Sequence, residues 1–302
     1  MNYTLHQLMV FHKIAELESI TKAAEQLFLS QPAVSIQLKN FQEQFDIPLT
    51  EVIGRRIRIT AFGREIAAAA EKILDEVYAI NYKTMAYKGL LSGKIKISSV
   101  STGKYVIPWL LAPFMRKHEG LELSIDVTNK LNVLQTLEQN EVDFALVSIK
   151  PEKPETEGIE LMENELHLIS SEMPAKKNYK MEELNHLNFI FREEGSATRQ
   201  IMEGFLRKHQ VKAARHLELS SNEAVKQAVM AGLGVSVMPL IGIRNEIKLK
   251  QLHILSVAGL PIKTRWQLIW LKNKSHSPAA AAFIHFIEIN KSKILGTDFF
   301  PV

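Results

Sequence analysis

The spacing of apolar residues predicts three helices within the first 45 residues of the chain. Thr4 can cap the first helix, in which apolar side chains recur at steps of three and form one face. Ser19 or Thr21 can cap a short second helix. Ser30 can cap the third, with Pro32 in its first turn, where a missing backbone N–H costs nothing. The second and third helices therefore meet within a very short turn.

The predicted third helix has an apolar face and a separate polar face. Its apolar residues fall at i, i+4, i+7 and i+11, and they are Val34, Leu38, Phe41 and Phe45. Its polar face carries Gln31, Ser35 and Lys39. A DNA major groove about 12 Å wide accepts one helix, so a capped helix with these two faces is typical of a helix-turn-helix. The alternative is an ordinary capped helix in a helical subdomain.

A small β wing and a long helix are predicted next. Isoleucines alternate with arginines from Arg56 to Ile59, and Gly54 stands where a hairpin would turn. After Thr60, apolar residues near heptad spacing continue to about Lys88, which indicates one long helix leaving the small domain.

Beyond residue 93, short β-type runs alternate with helical ones. Strands are predicted at Lys94–Ser99, Leu121–Val127 and Val142–Val147, separated by a helix after Gly103 and another through Leu131–Leu137. This βαβαβ order predicts a largely parallel sheet. A second alternating set comprises Leu166–Ser170, Asn188–Phe191, a helix from about Ser196 to His209, a helix centred on Ala228, Val235–Val237, and a closing helix near Ala279–Asn290. We therefore expect two similar α/β lobes with a cleft between them.

The composition fits a folded chain of about two domains, with 302 residues, 46% of them apolar and 23% charged. The longest apolar stretch, Tyr105–Met115, is broken by Pro108 and Pro113 and is shorter than the ~20 residues that cross a bilayer. The N-terminus also lacks the features of an export signal. We therefore expect a cytoplasmic protein without a membrane partner.

Residues for catalysis or metal binding do not stand out. The chain has no cysteine, which excludes disulfides, thiolate metal sites and cysteine nucleophiles. Its ten histidines show no metal-ligand spacing, and neither a Gly-x-Ser-x-Gly motif nor a distinctive pair of carboxylates is present. Gly232-x-Gly234 lacks the third glycine of a dinucleotide-binding motif and precedes a predicted strand. We expect no catalytic residue, no metal and no cofactor.

Basic charge is concentrated on and just after the predicted wing. The net charge of +4 and the pI of about 9.0 are compatible with a polyanionic partner. The first 64 residues hold seven Lys or Arg and six Asp or Glu, so the basic character is a local patch of Arg55, Arg56, Arg58 and Arg64. Over phosphates, these side chains would supply salt-dependent affinity without specifying sequence. A solvated arginine run is the alternative interpretation.

The whole chain resembles the LysR-type transcriptional regulators. The likeness is strongest in Ser30-Gln31-Pro32-Ala33-Val34-Ser35 and in Gly54-Arg55-Arg56-Ile57-Arg58-Ile59-Thr60, within a segment from Leu5 to Ile66. Two later segments also resemble the family. They are Arg192-Glu193-Glu194-Gly195-Ser196-Ala197-Thr198-Arg199 and Ser221-Asn222-Glu223-Ala224-Val225-Lys226-Gln227-Ala228, and the second continues into Ala231-Gly232-Leu233-Gly234. The resemblance implies an α/β protein with an all-α-plus-wing N-terminal domain. A winged helix-turn-helix is followed by a long linker helix that pairs two subunits and by a two-lobed effector domain similar to type 2 periplasmic binding proteins.

On this basis we expect a DNA-binding domain at 1–60, a dimerisation helix at 61–90 and an effector domain at 91–302. Lobe I would cover about 91–160 and 266–302, and lobe II about 161–265. The expected DNA contacts are Thr21, Ser30, Gln31, Pro32, Ser35, Ile36, Lys39, Arg55, Arg56 and Arg58. The expected pairing residues of the long helix are Ile66, Ala70, Ile73, Val77 and Ile80.

An effector site is expected where hydroxyls and amides close the predicted strands. Ligands of open α/β sheets bind outside the carboxyl ends of the strands, and helix N-termini there suit a carboxylate or a phosphate. The candidates are Ser99, Ser101, Thr102, Thr128, Asn129, Ser148, Ser196 and Thr198. Each of these residues alone could instead be a plain N-cap.

The resemblance implies a sequence-specific regulator whose promoter binding a small, anionic metabolite modulates. The expected partners are double-stranded promoter DNA, a second copy in a dimer or a tetramer, RNA polymerase and that metabolite. Ile36 stands where many members carry arginine or another polar residue, and Thr50-Glu51-Val52 replaces a more usual Phe-Glu-Arg, so base preference is not transferred. The absence of cysteine rules out the peroxide-sensing mode of one branch. The alternatives are a solute-binding protein for small anions and an enzyme on the same two lobes.

Overall fold

A computed structural model of the chain describes residues 3–54, 56–87 and 91–296. It divides into two compact units, Met1–Leu90 and Leu91–Val302, which we call the N-terminal and the C-terminal unit. Within the part of the chain that is described, no helix is long and apolar enough to cross a membrane.

The N-terminal unit consists of three helices, a hairpin and a long helix. They are α1 (Leu5–Leu17), α2 (Ile20–Gln26), α3 (Gln31–Gln42), β1 (Thr50–Ile53), β2 (Arg56–Ile59) and α4 (Ala61–Tyr87). The strands pair antiparallel and turn at Gly54, whose φ of 56° is a left-handed conformation that glycine adopts without strain. The predicted winged helix-turn-helix and long helix are therefore confirmed.

Local side-chain caps determine where the first three helices begin. Thr4, Ser19 and Ser30 each accept a hydrogen bond from the backbone N–H three residues further on, at 3.2, 3.3 and 3.4 Å. Such caps satisfy donors that a helix start leaves without a partner. Of the two residues predicted to cap α2, Ser19 does so, and Thr21 lies inside the helix with its side chain exposed.

Phe41 lies at the centre of the N-terminal core. Its ring is fully buried, and its centroid lies 5.2 Å from that of Phe11 and 5.1 Å from that of Phe45. Val34 and Leu38 are buried on the same side of α3. The predicted apolar stripe of this helix therefore faces the core and leaves the opposite face exposed.

The C-terminal unit opens with the βαβαβ segment that the sequence predicts. Its elements are β3 (Ser92–Val100), α5 (Ile107–Met115), β4 (Gly120–Thr128), α6 (Lys130–Glu138) and β5 (Phe144–Val147). β3 pairs in parallel with both β4 and β5. The residues that follow these strands therefore lie along one edge of the sheet.

The rest of the unit adds a second core and returns to the first. Its elements are β6 (Thr156–Ser170), α7 (Met181–Leu184), β7 (Asn188–Arg192), α8 (Ala197–Lys208), β8 (Arg215–Leu219), α9 (Asn222–Met230), β9 (Ser236–Pro239), α10 (Arg244–Lys248), β10 (His253–Ile254), β11 (Ile262–Leu271) and α11 (Pro278–Ile294). One sheet has the strand order β10-β6-β11-β5-β3-β4, with β9 also on β6, and β7 and β8 form a separate parallel pair.

Two long antiparallel strands, β6 and β11, connect the two cores. Ile159 and Trp266 belong to the core of β3 to β5 and α11, which we call the first lobe. Leu166 and Leu168 belong to a core with Phe189, which we call the second lobe. We refer to the paired strands β6 and β11 as the crossing ladder.

The crossing ladder is the main element that the sequence pattern did not predict. Only the last part of β6 was predicted as a strand, and β11 was not predicted at all. β6 carries four glutamates and β11 carries Lys263 and Arg265 near its start, and these charges weaken the apolar alternation of a half-buried strand. In the structure these charges pair along an exposed face, with Lys263 2.8 Å from Glu163 and Arg265 2.9 Å from Glu160.

His276 is a titratable group packed into the first lobe. Its ring stacks on Phe144 at 5.9 Å and meets Trp270 edge to face at 5.5 Å, and its Nδ1 is buried without a hydrogen-bond partner in the described structure. Burial, reinforced by the charge of Lys274, holds the pKa of His276 below its usual value, although Asp143 and Glu157 act in the opposite direction. The native protein therefore disfavours the protonated ring.

We expect His276 to contribute to acid destabilisation. Below a pH of about 6.5 the unfolded chain takes up a proton that native His276 binds more weakly. The free energy of unfolding therefore decreases as the pH is lowered through this range. His276→Phe keeps an aromatic ring that cannot titrate and should make this fall shallower. Urea unfolding of both proteins at pH 7.5, 6.5 and 5.5 measures the difference. Equal pH slopes would contradict the assignment.

Candidate functional site

The exposed face of α3 carries most of the residues predicted to read DNA. Gln31 Nε2 donates a hydrogen bond to Ser35 Oγ at 3.0 Å, so these two side chains lie together. Lys39 continues the same stripe, with its ammonium 3.8 Å from a carboxylate oxygen of Glu43. Ile36 is 57% exposed and adds an apolar side chain. The helix thus presents both polar and apolar groups to solvent, as direct readout in a groove requires.

Three further predicted DNA contacts flank this face in different ways. Ser30 uses its hydroxyl to cap α3. Pro32, in the first turn of that helix, is exposed. Thr21 is exposed near the start of α2. The structure leaves all three accessible at the helix-turn-helix surface.

The wing arginines differ in their surroundings. Arg56 is exposed. Arg58 Nη1 pairs with Glu18 at the end of α1, which partly neutralises its charge. Arg64 Nη1 donates to the backbone carbonyl of Ile59 at 2.8 Å. Arg55 lies outside the described residues.

The predicted pairing residues of α4 divide into two groups. Ile66 and Ala70 pack into the core of the N-terminal unit, where α4 lies against α1. Ile73 and Ile80 are exposed, and Val77 between them is partly exposed. Only the second group leaves an apolar surface on α4 for another chain.

Ser101 joins the two lobes of the C-terminal unit. Its Oγ accepts hydrogen bonds from Arg192 Nη1 at 3.0 Å and from Asn222 Nδ2 at 2.7 Å. Arg192 is only 3% exposed, and its Nε and Nη2 also donate to both carboxylate oxygens of Glu193 at 2.7 and 2.8 Å. A hydroxyl that accepts two hydrogen bonds keeps its own proton for a further partner.

A second junction brings Asn129 close to Ser196. The side chain of Asn129 caps α6, and the backbone N–H of Leu131 donates to the carbonyl of Gly195 at 3.3 Å. Ser196 and Thr198, at the start of α8, are buried. Burial lowers the pKa of Lys130 in this junction, although Glu152 opposes the effect.

The remaining predicted effector residues are engaged within the first lobe or line a cavity. Ser99 is buried and donates to the carbonyl of Val100 at 3.1 Å, and Thr102 is also buried. Thr128 accepts a hydrogen bond from the side chain of Asn132 at 3.1 Å. The structure therefore does not gather all eight candidates into one cluster.

Ser148 lines a cavity of about 310 Å³ beside the crossing ladder. Three cations and one carboxylate line this cavity: Lys150, Lys263, Arg265 and Glu163. Hydrogen bonds to Glu163 and Glu165 raise the pKa of Lys263, so it stays charged. A cavity with several cations and a hydroxyl suits a small anion.

Each of the two units matches a protein-family model. Residues 5–64 match the model of the bacterial regulatory helix-turn-helix protein of the lysR family, and residues 88–290 match the LysR substrate binding domain. The chain belongs to the LysR family.

Relatives of this LysR-family protein cover nearly its whole length. The RuBisCO operon transcriptional regulator of Allochromatium vinosum is 36% identical over 95% of this chain and 96% of its own. The CcmR regulatory domain of Synechocystis PCC6803, solved in complex with 2-PG, is 34% identical, covers 65% of this chain and 96% of that one, and has a TM-score of 0.62. Full-length CbnR, solved with its target DNA, has a TM-score of 0.70 at 21% identity over 94% of this chain and 99% of its own, and shows the shared fold.

This LysR-type protein is a DNA-binding transcriptional regulator that a small-molecule effector modulates and that oligomerises. The predicted family, fold class and partner classes of promoter DNA, a second copy and a metabolite are confirmed. The helix-turn-helix match favours the regulator over the solute-binding and enzyme alternatives, and its relatives are themselves regulators.

Two residues of this LysR-type regulator contact the predicted effector residue Ser101, although the sequence did not single them out. Arg192 is the last residue of the apolar strand β7, and Asn222 is the first residue of α9. Both lie in the segments that resemble the LysR family. The sequence signal for Arg192 is a charge at the end of an apolar run, because a guanidinium that is buried there needs hydrogen-bond partners.

Proposed function

We propose that this regulator responds to a small phosphorylated or carboxylated metabolite of the 2-PG class (2-phosphoglycolate), and that it acts on a RuBisCO operon. The main structural support for an anionic effector is the cavity in which Ser148 lies with Lys150, Lys263 and Arg265. The 2-PG complex of the CcmR domain and the name of the Allochromatium vinosum relative support the proposal. Anion binding would favour one arrangement of the lobes and thereby change promoter binding.

Lys150 is the cavity cation best placed to take a ligand anion. Lys263 and Arg265 already pair with glutamates of the crossing ladder. Lys150 forms no ion pair within the described residues and is exposed at the cavity rim. An anion reaching this cavity would meet Lys150 without first displacing a carboxylate.

Effector binding is tested by calorimetric titration of the full chain with 2-phosphoglycolate, glycolate and inorganic phosphate. We expect 2-phosphoglycolate to bind more tightly than either fragment, since only it carries both anionic groups. Lys150→Gln should weaken this binding about ten- to hundredfold, because one charged contact is worth roughly 1.5 to 3 kcal/mol. Lys177→Gln, an exposed lysine outside the cavity, is the matched control. Equal affinity for both variants would reject the cavity as the site.

We propose that α3 enters the major groove, that the wing arginines lie over phosphates, and that Ile73, Val77 and Ile80 pair α4 with α4 of a second copy. We propose RNA polymerase as a further partner at the promoter. We also propose that the protein is cytoplasmic, because its target is chromosomal DNA, and that it has no catalytic activity.

Binding isotherms on the protein's own upstream DNA at several salt concentrations test the DNA contacts. The affinity should fall steeply with salt, because cations on phosphates release counterions. A flat response would refute these contacts.

A further inference from the structure

Besides Ser101, another contact joins the lobes of the C-terminal unit. Tyr105 ends a short 3₁₀ turn after β3, and Gly242 ends a 3₁₀ turn after β9. A Cβ atom added to Gly242 would lie only 3.2 Å from Cε2 of Tyr105. The backbone at Gly242 therefore lies close to the tyrosine ring, which must shift by a few tenths of an ångström to admit a methyl group.

The turn Leu240–Gly242, which we call the tongue, bridges the two lobes. Leu240 packs with the apolar cluster that contains Ile190 and Val229 of the second lobe. Its neighbour Ile241 packs against the core of the first lobe. The tongue thus extends from the second lobe, and its Ile241 side chain packs into the first lobe. The ring of Tyr105 lies against Gly242 at the end of the tongue.

A buried lysine fixes the base of the tongue. Lys226 of α9 is 8% exposed, and its Nζ lies 2.7 Å from Glu246 of α10 and 3.0 Å from Glu223. α10 begins two residues after the tongue. Burial opposes the charge of Lys226, but the hydrogen bonds to the two glutamates outweigh it and raise its pKa. The ion pairs therefore hold α10 to α9.

The residues that make the Ser101 contact and those that contact or anchor the tongue come from the same two short segments. Ser101 and Tyr105 are four residues apart in the segment that leaves β3, and Asn222 and Lys226 are one helical turn apart on α9. α9 thus carries both a partner of Ser101 and, in Lys226, the residue that holds α10 behind the tongue. A movement of α9 would therefore act on the Ser101 contact and on the base of the tongue together.

We infer that Tyr105 and the tongue form a latch that sets how far the two lobes close, with Lys226 as its positioning residue. The latch would regulate the effector site and in that respect rests on the proposed function. Tyr105 seated on Gly242 favours the closed arrangement in which Ser101 reaches Arg192 and Asn222. An effector that binds the closed lobes gains affinity from a latch that populates this state.

Lobe closure is measurable without any effector. The chain has no cysteine, so Gln135→Cys on α6 and Lys208→Cys on α8 give two unique spin-label sites, one on each lobe. Labelled full-length chain is mixed with excess unlabelled chain to suppress distances between subunits. Double electron–electron resonance then reports the distribution of distances between the lobes.

We expect Gly242→Ala to lengthen and broaden this distance distribution, because its methyl group pushes Tyr105 away. Gly204→Ala is the matched control, since a Cβ there meets nothing within 4 Å, and it should leave the distribution unchanged. Tyr105→Ala and Lys226→Met remove the ring and the anchor and should also open the lobes. They serve as replacements if Gly242→Ala does not fold. Unchanged distances in the folded variants would overturn the latch.

Effector affinity provides a separate result. If 2-phosphoglycolate binds the unaltered chain, Gly242→Ala should weaken it about three- to tenfold, in proportion to the lost closed population. An unchanged affinity in a protein with opened lobes would overturn the regulatory role of the latch. If 2-phosphoglycolate binds no form of the protein, the proposed effector fails, and the distance measurement alone decides whether the latch exists.

Discussion

Phe41→Ala should lower the free energy of unfolding of the N-terminal unit by about 3 to 5 kcal/mol. The ring is fully buried between Phe11 and Phe45, so its removal loses transfer free energy and leaves a cavity among rigid aromatic neighbours. Because a two-unit chain need not unfold in a single step, hydrogen exchange resolved by peptide is the suitable measurement. Peptides from α1 and α3 should lose protection in the variant.

Phe28→Ala is the matched control for this substitution. Phe28 is in the same unit but is 95% exposed in the turn between α2 and α3. Its removal leaves no cavity, so the change in stability should stay within about 0.5 kcal/mol. Equal losses of protection in both variants would show that the core is not centred on Phe41.

Gln31→Ala and Arg56→Ala should affect DNA binding in different ways. Gln31 is exposed at the start of α3, where side chains meet base edges, so its loss should reduce discrimination at one base position by about 1 to 3 kcal/mol. Arg56 is an exposed wing arginine. Its loss should weaken binding to all sequences alike and reduce the salt slope by about 1.

Fluorescence anisotropy with the operator and its single-base variants, at three salt concentrations, separates the two effects. Arg207→Ala, an exposed arginine on α8 of the C-terminal unit, is the control and should change neither quantity. If Gln31→Ala instead weakened binding to every sequence equally, its role would be limited to backbone contact. A sequence-dependent effect of Arg56→Ala would likewise contradict its assignment to phosphate contacts.

Local signals predicted the N-terminal unit well. Caps at Thr4 and Ser30, the apolar spacing of α3 and the glycine of the hairpin turn act over a few residues, so they can be recognised without knowing what packs against them. The βαβαβ segment was predictable for the same reason. β8 was missed because nearly all of its side chains are exposed, which leaves no apolar alternation to detect.

The pairing helix shows where a correct pattern was insufficient. Heptad-like spacing from Ile66 to Ile80 predicted a single apolar stripe. Ile66 and Ala70 in fact contact the unit's own core, whereas Ile73 and Ile80 remain exposed. Spacing identifies residues that share a face, but it does not state which partner each part of that face meets.

The sequence by itself determined the family, the order of the elements, and the polar face of α3 that carries Gln31, Ser35 and Lys39, because these depend on short-range chemistry. Only the tertiary structure decided which polar residues meet. Arg192 and Asn222 reach Ser101 from 91 and 121 residues away. Such contacts depend on how the crossing ladder joins the two lobes, and no local spacing encodes that distance.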